Sequence, residues 1–282
     1  MSKRLIAIGA TGLALGATIG LLKRRQRRPT RIRKGVFIER ALYDAPSFVL
    51  RQLGIEWVLV ETAIQKKSQD PAGDAWITRT REELEAVERE LNPPGVPYKI
   101  EVWGWGWPIP PRVGRFAKHV IDVLASPAIA GYCLDIEAKD WSTLDHGEAP
   151  MHTAAVSLIN TIRLGSTKKL LLSSHGRADY APLPWRALGT LDGALPQTYD
   201  ASNKYGAGFI ARCLKSYQEK GFSFIAPTLG ASTSAPERMF EQLEDVPASV
   251  PAISWWTWTS IGRNKERQQV IASFGASQEA IA

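Results

Sequence analysis

Short runs of aliphatic and β-branched residues alternate with segments of helical periodicity along most of the chain. We predict eight strands, Val36–Glu39, Trp57–Glu61, Tyr98–Trp103, Ile129–Glu137, Lys169–Ser174, Gly193–Tyr199, Ser223–Thr228 and Ala252–Trp258. Eight strand–helix alternations in residues 35–282 predict a closed (β/α)8 TIM barrel, a fold that needs about 250 residues. The alternative is an open doubly wound sheet, which usually carries a glycine-rich phosphate loop after its first strand, and the sequence has no such loop there.

The amino-terminal region has a different pattern. Leu5 to Leu22 contains eighteen residues without a charge, enough for a helix of about 27 Å. Gly12, Gly16 and Gly20 recur every four residues and give such a helix a small-residue face on which a second helix can pack closely. We therefore predict a membrane-anchor helix in residues 1–22, with helix–helix self-association through the glycines, and a basic linker in residues 23–34.

Two other interpretations of this segment remain open, a cleaved signal peptide and an interfacial helix. A signal peptide carries its charges before the apolar run, whereas the basic cluster here follows it. As a single-pass anchor, the segment would keep the rest of the chain on the cytoplasmic or interior side, because basic flanks stay there. A virion membrane would reconcile that orientation with an external polymeric substrate.

The net charge of +7 comes from this same region. Residues 1–34 contain ten Lys and Arg and no acid, which leaves 25 bases against 28 acids, or −3, for residues 35–282. A slightly acidic domain argues against nucleic acid as a partner, and a basic tail beside an apolar segment favours a lipid bilayer. The two cysteines, Cys133 and Cys213, fit buried thiols and lack the spacing of a zinc site.

The strongest candidate for chemistry is the pair Asp135 and Glu137 at the end of the fourth predicted strand. Alternation along a strand places both side chains on one face, at the carboxyl end where barrel active sites lie. Two neighbouring carboxylates repel each other, which raises the pKa of one and keeps a proton available for a leaving group. Glu61 ends the second strand and is either a further site carboxylate or part of a structural ion pair.

Further polar side chains are predicted at the same end of the barrel. Gln197 and Tyr199 share a face of the sixth strand, where the tyrosine is either a site hydroxyl or an amphipathic rim residue. His175 ends the fifth strand and is predicted to face the site. No metal-ligand spacing is present, so the sequence predicts neither a metal nor a cofactor.

Tryptophans gather near predicted strand ends. Seven of the ten lie there, namely Trp103, Trp105, Trp107, Trp141, Trp255, Trp256 and Trp258. Indole faces pack on the C–H faces of sugar rings, and indole N–H groups bind hydroxyls. The group therefore indicates a carbohydrate-binding cleft, the alternative being that these rings fill the top of the barrel.

Together these motifs resemble chitinase-like family-18 glycoside hydrolases, whose fourth strand carries DxxDxDxE and whose sixth carries M-x-Y-D. Asp135-Ile136-Glu137 is similar to the first motif and Gln197-Thr198-Tyr199-Asp200 to the second, and D-x-E also resembles family-25 lysozymes. The resemblance implies that Glu137 is the general acid, that Asp135 and Tyr199 hold the substrate acetamido group, that Asp200 contacts substrate, and that Trp256 or Trp258 forms the sugar floor. Cys133, Ala130 and Gln197 depart from the motifs, and Cys133 replaces the middle aspartate.

The sequence thus predicts a glycoside hydrolase that cleaves an N-acetylated amino-sugar polymer, peptidoglycan or chitin-like, by an acid-catalysed retaining mechanism. Trp103, Trp105, Gln197, Asp200, Trp256, Trp258, Glu61 and His175 are the predicted substrate contacts. One alternative is a non-catalytic carbohydrate-binding or structural barrel, which Cys133 favours. Another is an unrelated barrel enzyme that uses Asp135 and Glu137 on a different substrate, because barrels host many chemistries.

Overall fold

Eight parallel β-strands close into a barrel in the computed structural model, which describes residues 32–39, 46–64, 76–110, 113–200, 204–231 and 234–274. Each strand pairs with the next along the chain, and the first also pairs with the eighth. The strands are β1 Arg33–Ile38, β2 Ile55–Ile64, β3 Glu101–Trp107, β4 Ile129–Asp135, β5 Lys169–His175, β6 Gly193–Gln197, β7 Thr228–Gly230 and β8 Ala252–Trp256. The predicted (β/α)8 barrel is confirmed. A two-residue strand, Trp76–Ile77, adds antiparallel to the end of β2.

Helices occupy the connections between the strands. Their bounds are α1 Ser47–Gln52, α2 Arg81–Leu91, α3 Gly114–Ala125, α4 Ala138–Trp141, α5 Thr143–His146, α6 Glu148–Gly165, α7 Trp185–Leu188, α8 Phe209–Gln218, α9 Pro236–Glu244, α10 Trp258–Ile261 and α11 Lys265–Ser273. Of the helices in the described residues, none has both the length and the apolar character needed to span a bilayer. The predicted anchor Leu5–Leu22, with its three glycines, lies outside the described residues.

The barrel begins slightly before the predicted boundary at residue 35, because β1 starts at Arg33. Lys34 is buried, and its Nζ donates hydrogen bonds to the carbonyl oxygens of Leu53, at 3.1 Å, and Ile271, at 2.9 Å. These bonds connect the start of the barrel to the segment after α1 and to α11. Lys34 was predicted to belong to the basic linker, and it is instead a structural cation of the barrel.

Apolar side chains form two layers. The larger lies between the strands and the helices, and the smaller fills the barrel interior with Phe37, Trp57, Leu59, Trp103, Trp105, Cys133, Leu171, Leu195, Ala226 and Ala252. A Cβ atom at Gly131 would lie 2.2 Å from the Trp103 ring, and one at Gly35 would lie 2.2 Å from the Trp57 ring. The two glycines therefore make room for two indoles near the amino ends of the strands. Polar inward-facing groups concentrate at the carboxyl ends.

Candidate active site

Asp135 is the last residue of β4, and its carboxyl group is buried inside the mouth of the barrel. The strand register places it beside Ser173 of β5. The Nε2 of Gln197, at the end of β6, donates a hydrogen bond to Asp135 Oδ1 at 2.9 Å and lies 3.2 Å from Ser173 Oγ. Three neighbouring strands thus bring a carboxyl, a hydroxyl and an amide into contact.

Burial raises the pKa of Asp135 to about 7, and the negative charge of Glu137 adds to the increase. Hydrogen bonds from Ser173 and Gln197 and the charge of Lys139 oppose it, because each favours the carboxylate. Asp135 therefore exchanges its proton near neutral pH. The expected repulsion within the pair is present, because the charge of Glu137 helps to raise the pKa of Asp135.

Glu137 lies two residues beyond the end of β4 and is the N-cap residue of α4. Its Oε2 lies 2.8 Å from Nζ of Lys139, and its side chain is 30% exposed. The same Nζ lies 3.6 Å from the centroid of the Trp107 ring, in cation–π geometry. Glu137 is therefore a solvent-accessible carboxylate paired with a cation, in contrast to the buried carboxyl of Asp135.

Tyr199, two residues beyond the end of β6, belongs to the same electrostatic environment. Burial raises its pKa well above the usual 10, and the negative charges of Asp135, Glu137 and Glu39 add to the effect. The phenol therefore keeps its proton and is available as a hydrogen-bond donor. This agrees with the predicted placement of Gln197 and Tyr199 on one face with Asp135.

Trp256 is half-buried at the end of β8 and lies above an aromatic cluster. Its ring centroid is 5.3 Å from that of Trp105, in an edge-to-face arrangement, and 5.0 Å from that of Phe37. Trp105 is 3% exposed, and its Nε1 donates to the Ile38 carbonyl oxygen at 3.4 Å. Of the two tryptophans in this cluster, Trp256 is therefore the one that is accessible to solvent.

Trp103 and Trp105 were predicted to contact substrate at the end of a strand, and the structure corrects that prediction. Both are inside β3, where Trp103 is 7% exposed and packs edge-to-face on Trp57 with centroids 6.5 Å apart. They fill the barrel interior, which was the alternative interpretation. Their position supports the floor of the site from below.

Trp258 is also misplaced by the prediction. It is 2% exposed in the outer apolar layer, because β8 ends at Trp256 and Trp258 opens α10. The strand alternation that would have pointed both indoles inward therefore stops between them. The peptide bond between Trp256 and Thr257 is cis.

Asp200 and His175 do not join the carboxyl pair. Asp200 is buried, and its Oδ2 lies 3.0 Å from Nη2 of Arg238 in α9. It lines a cleft of about 310 Å³ between the end of β6 and helices α8 and α9. His175 is exposed, and its Nδ1 accepts a hydrogen bond from the Arg177 backbone N–H at 3.1 Å. Both predicted substrate contacts instead have protein partners.

Glu61 is buried inside β2, which continues to Ile64 and does not end at Glu61 as the sequence predicted. Its charge acts on Arg79, where it opposes the lowering of the guanidinium pKa by burial. Arg79 Nη1 also donates to the Glu61 carbonyl oxygen at 2.8 Å. These contacts favour the structural ion pair over a direct role in chemistry.

Two residues of the site were not predicted, Ser173 and Lys139. Ser173 could have been found, because alternation along β5 places it inward next to Asp135. Lys139 gives no such signal, since its contact with Glu137 depends on the turn into α4. Within the described residues, no cluster of three or more His, Cys, Asp and Glu side chains is placed to hold a metal ion.

The barrel shares its fold with solved chitinases. It resembles a family GH18 chitinase from Cycas revoluta, in complex with allosamidin, with a TM-score of 0.60 at 10% identity over 85% of this chain and 98% of that one. A chitinase from Bacteroides thetaiotaomicron gives 0.60 at 10% identity over 90% and 99%. A GH18 chitinase from Pseudoalteromonas aurantia gives 0.51 at 9% identity over 87% and 99%.

No protein-family model matches the sequence, and no curated protein matches it. At such low identities the structural likeness shows a common fold. The resemblance to a distant chitinase-like barrel is confirmed at that level, while the similarity to family-25 lysozymes stays a prediction.

Proposed function

We propose that the protein is a glycoside hydrolase acting on an N-acetylated amino-sugar polymer, chitin-like or peptidoglycan. The observation that carries this proposal is the pairing of a buried, proton-exchanging Asp135 with an accessible Glu137 at the mouth of a chitinase-like barrel. Unequal environments give two neighbouring carboxyls different roles in acid catalysis. The half-buried Trp256 supplies an apolar surface for a sugar ring beside them.

In the proposed reaction the substrate's acetamido oxygen attacks the anomeric carbon while Glu137 protonates the leaving glycosidic oxygen. The Asp135 carboxylate accepts a hydrogen bond from the acetamido N–H and stabilises the positive charge of the oxazolinium intermediate. The Tyr199 hydroxyl donates a hydrogen bond to the acetamido oxygen and keeps its proton. Water then opens the intermediate with Glu137 as base, which retains the anomeric configuration. Before the first step, the single proton of the carboxyl pair moves from Asp135 to Glu137.

Glu137→Gln tests the assignment of the acid. The amide keeps the size and hydrogen-bonding capacity of Glu137 but has no proton to transfer, so we expect release of reducing ends from chitin oligosaccharides and peptidoglycan to be abolished. Glu148→Gln is the matched control, because Glu148 is an exposed glutamate in the first turn of α6. Near-full activity of Glu137→Gln, or equal cleavage of N-acetylated and de-acetylated polymers, would contradict the proposed mechanism.

A second candidate is a carbohydrate-binding barrel without catalysis. Cys133 favours it, because burial raises the pKa of this thiol well above its usual range and leaves a neutral group one layer below Asp135. The chitinase-like motif has an aspartate at that position. Binding of chitin oligosaccharides without release of reducing ends, and loss of binding in Trp256→Ala, would favour this candidate.

We also propose that Leu5–Leu22 anchors the protein in a membrane, on the basis of its length and its uncharged composition. The test is a truncated chain that starts at Arg31, so that β1 and Lys34 remain intact. We expect the full chain, and not the truncated one, to float with lipid vesicles. Flotation of both would contradict the anchor.

A further inference from the structure

The position below Asp135 on β4 carries no charge, which changes what holds its carboxyl group. Cys133 faces the interior one layer down and is completely buried, and its thiol is neutral because burial raises its pKa. A neutral thiol cannot share a proton with Asp135 as a second carboxyl would. The polar contacts of Asp135 come instead from the next two strands, β5 and β6.

Gln197 and Ser173 form these contacts in a connected arrangement. An amide NH2 group has two donors. In Gln197 one is directed at Asp135 Oδ1, at 2.9 Å, and the other at Ser173 Oγ, at 3.2 Å. Ser173 is 1% exposed and also hydrogen-bonds the Asp135 carboxyl, so that each of the three groups contacts the other two.

This arrangement distinguishes the two oxygens of Asp135. Oδ1 accepts the amide N–H of Gln197, and an oxygen that accepts this bond is a poor site for the carboxyl's own proton. The proton therefore occupies Oδ2, the oxygen that Gln197 leaves unbonded. Ser173 Oγ accepts the second amide N–H, which it does only in this orientation, and a rotated amide would set its carbonyl oxygen against Oδ1.

We propose that Gln197 is a positioning residue that fixes the exchangeable proton of Asp135 on Oδ2, with Ser173 holding the amide in the orientation this requires. The inference rests on the proposed hydrolase function, since it is there that the proton has to pass to Glu137. It explains how a chain with Cys133 in place of an aspartate can still orient the neighbouring carboxyl.

The other groups that act on Asp135 must stay constant in any test of this idea. Those that face it are Glu137 and Lys139 after β4, Cys133 on β4, Tyr199 beyond β6 and Tyr217 in α8. Gln197→Met changes none of them, because methionine has a similar length and no donor. Gln242→Met is a matched control, since Gln242 in α9 is 2% exposed and its Nε2 also donates to a serine, Ser234, just before that helix.

We expect Gln197→Met to lower kcat by about 10-fold to 100-fold, the range that the loss of a hydrogen bond to a charged group produces. KM should change much less. Losing a bond that favours the carboxylate should raise the pKa of Asp135 above about 7, so that the alkaline decline of activity moves to higher pH. Ser173→Ala should move both readouts in the same direction by a smaller amount, while Ser173→Thr should restore them.

The titration of Asp135 by carbon NMR in the full chain separates this inference from the proposed function. A raised pKa in Gln197→Met without measurable hydrolysis by the unaltered protein would support the positioning role and contradict the hydrolase. Suppose instead that the unaltered protein hydrolyses substrate, and that Gln197→Met has the same pH profile and the same Asp135 titration as the unaltered protein. That result would overturn the inference alone. Equal losses in Gln197→Met and Gln242→Met would overturn it too, because the effect would then be one of packing.

Discussion

The two halves of the barrel interior are built from different chemistry. Toward the amino ends of the strands the inward side chains include Trp57, Trp103 and Leu171, which are buried and packed against glycines, and the buried Ala252. Toward the carboxyl ends they are Glu61, Asp135, Ser173, Gln197 and Tyr199, which are polar and contain three titratable groups. One sheet thus carries an apolar lower half and a polar upper half, and the same alternation of side chains produces both.

The difference shows where the stability and the reactivity of the barrel lie. Burying one indole removes roughly 150–250 Å² from water, which stabilises by about 4–6 kcal/mol at about 25 cal/mol per Å². Burying the ionised carboxyl of Asp135 has the opposite sign, because its pKa is raised from 3.8 to about 7. The lower half therefore offsets the cost of the upper half, and changes in the two halves should have opposite effects on stability.

Asp135→Asn should give the largest effect. The folded pKa of Asp135 lies above the unfolded value, so its favourable contribution is complete below about pH 4 and lost as the pH rises through about 7. Asparagine does not titrate, so between pH 4 and pH 8 the variant should gain about 4 kcal/mol in unfolding free energy relative to the parent. Turnover should fall by about 100-fold or more, because asparagine cannot carry the charge of the carboxylate.

Urea unfolding at pH 4 and pH 8 measures the stability term, and reducing-end release measures turnover. Asp145→Asn is the control, since Asp145 is an exposed carboxylate in α5. If Asp135→Asn and the parent differ in unfolding free energy by the same amount at both pH values, then burial does not disfavour the charged form of Asp135.

Trp103→Ala is the corresponding change in the lower half. It removes a buried ring that packs on Trp57 and over Gly131, and the cavity has no flexible neighbour on the β4 side to fill it. We expect a loss of at least about 3 kcal/mol in unfolding free energy, measured by urea denaturation, with little dependence on pH. Trp256→Ala should cost less because that ring is half-exposed. If the two variants lose equal stability, the distinction between the two halves is wrong.

The sequence predicts the barrel well because its signal repeats eight times, with each strand followed by a helical segment. It predicts the inward direction of Asp135, Gln197 and Tyr199 because strand alternation is local. The tryptophans of β3 are placed wrongly because Gly104 and Gly106 make the segment resemble a loop. A Cβ at Gly104 would lie 2.6 Å from the Tyr132 ring, and one at Gly106 would lie 2.5 Å from the Ala63 carbonyl oxygen, so both glycines are required inside a strand.

The contacts that tune the site are harder to predict, since they join residues distant in sequence. Arg238 reaches Asp200 from a helix 38 residues away, and no periodicity indicates that pairing. Gln197 looked like a substrate ligand because of its motif, and its amide is instead committed to Asp135 and Ser173. Sequence periodicity specifies which way a side chain points, whereas its partner depends on packing between strands.

Lys139→Met should give the smallest effect. Lys139 is 57% exposed, and exposed ion pairs contribute about 0–1 kcal/mol, so stability should change by less than about 1 kcal/mol. The cation lies between Glu137 and Trp107 and favours the carboxylate of Asp135, so its removal should raise the pKa of Asp135 and shift the alkaline limb of the activity profile upward. Turnover at the optimum should stay within about fivefold, because on the proposed mechanism Lys139 transfers no proton.

Lys139→Arg keeps the charge and should leave the pH profile unchanged. A loss of activity in Lys139→Met as complete as that expected for Glu137→Gln would place the lysine among the reacting groups and move the boundary of the reactive half outward from the barrel mouth to α4.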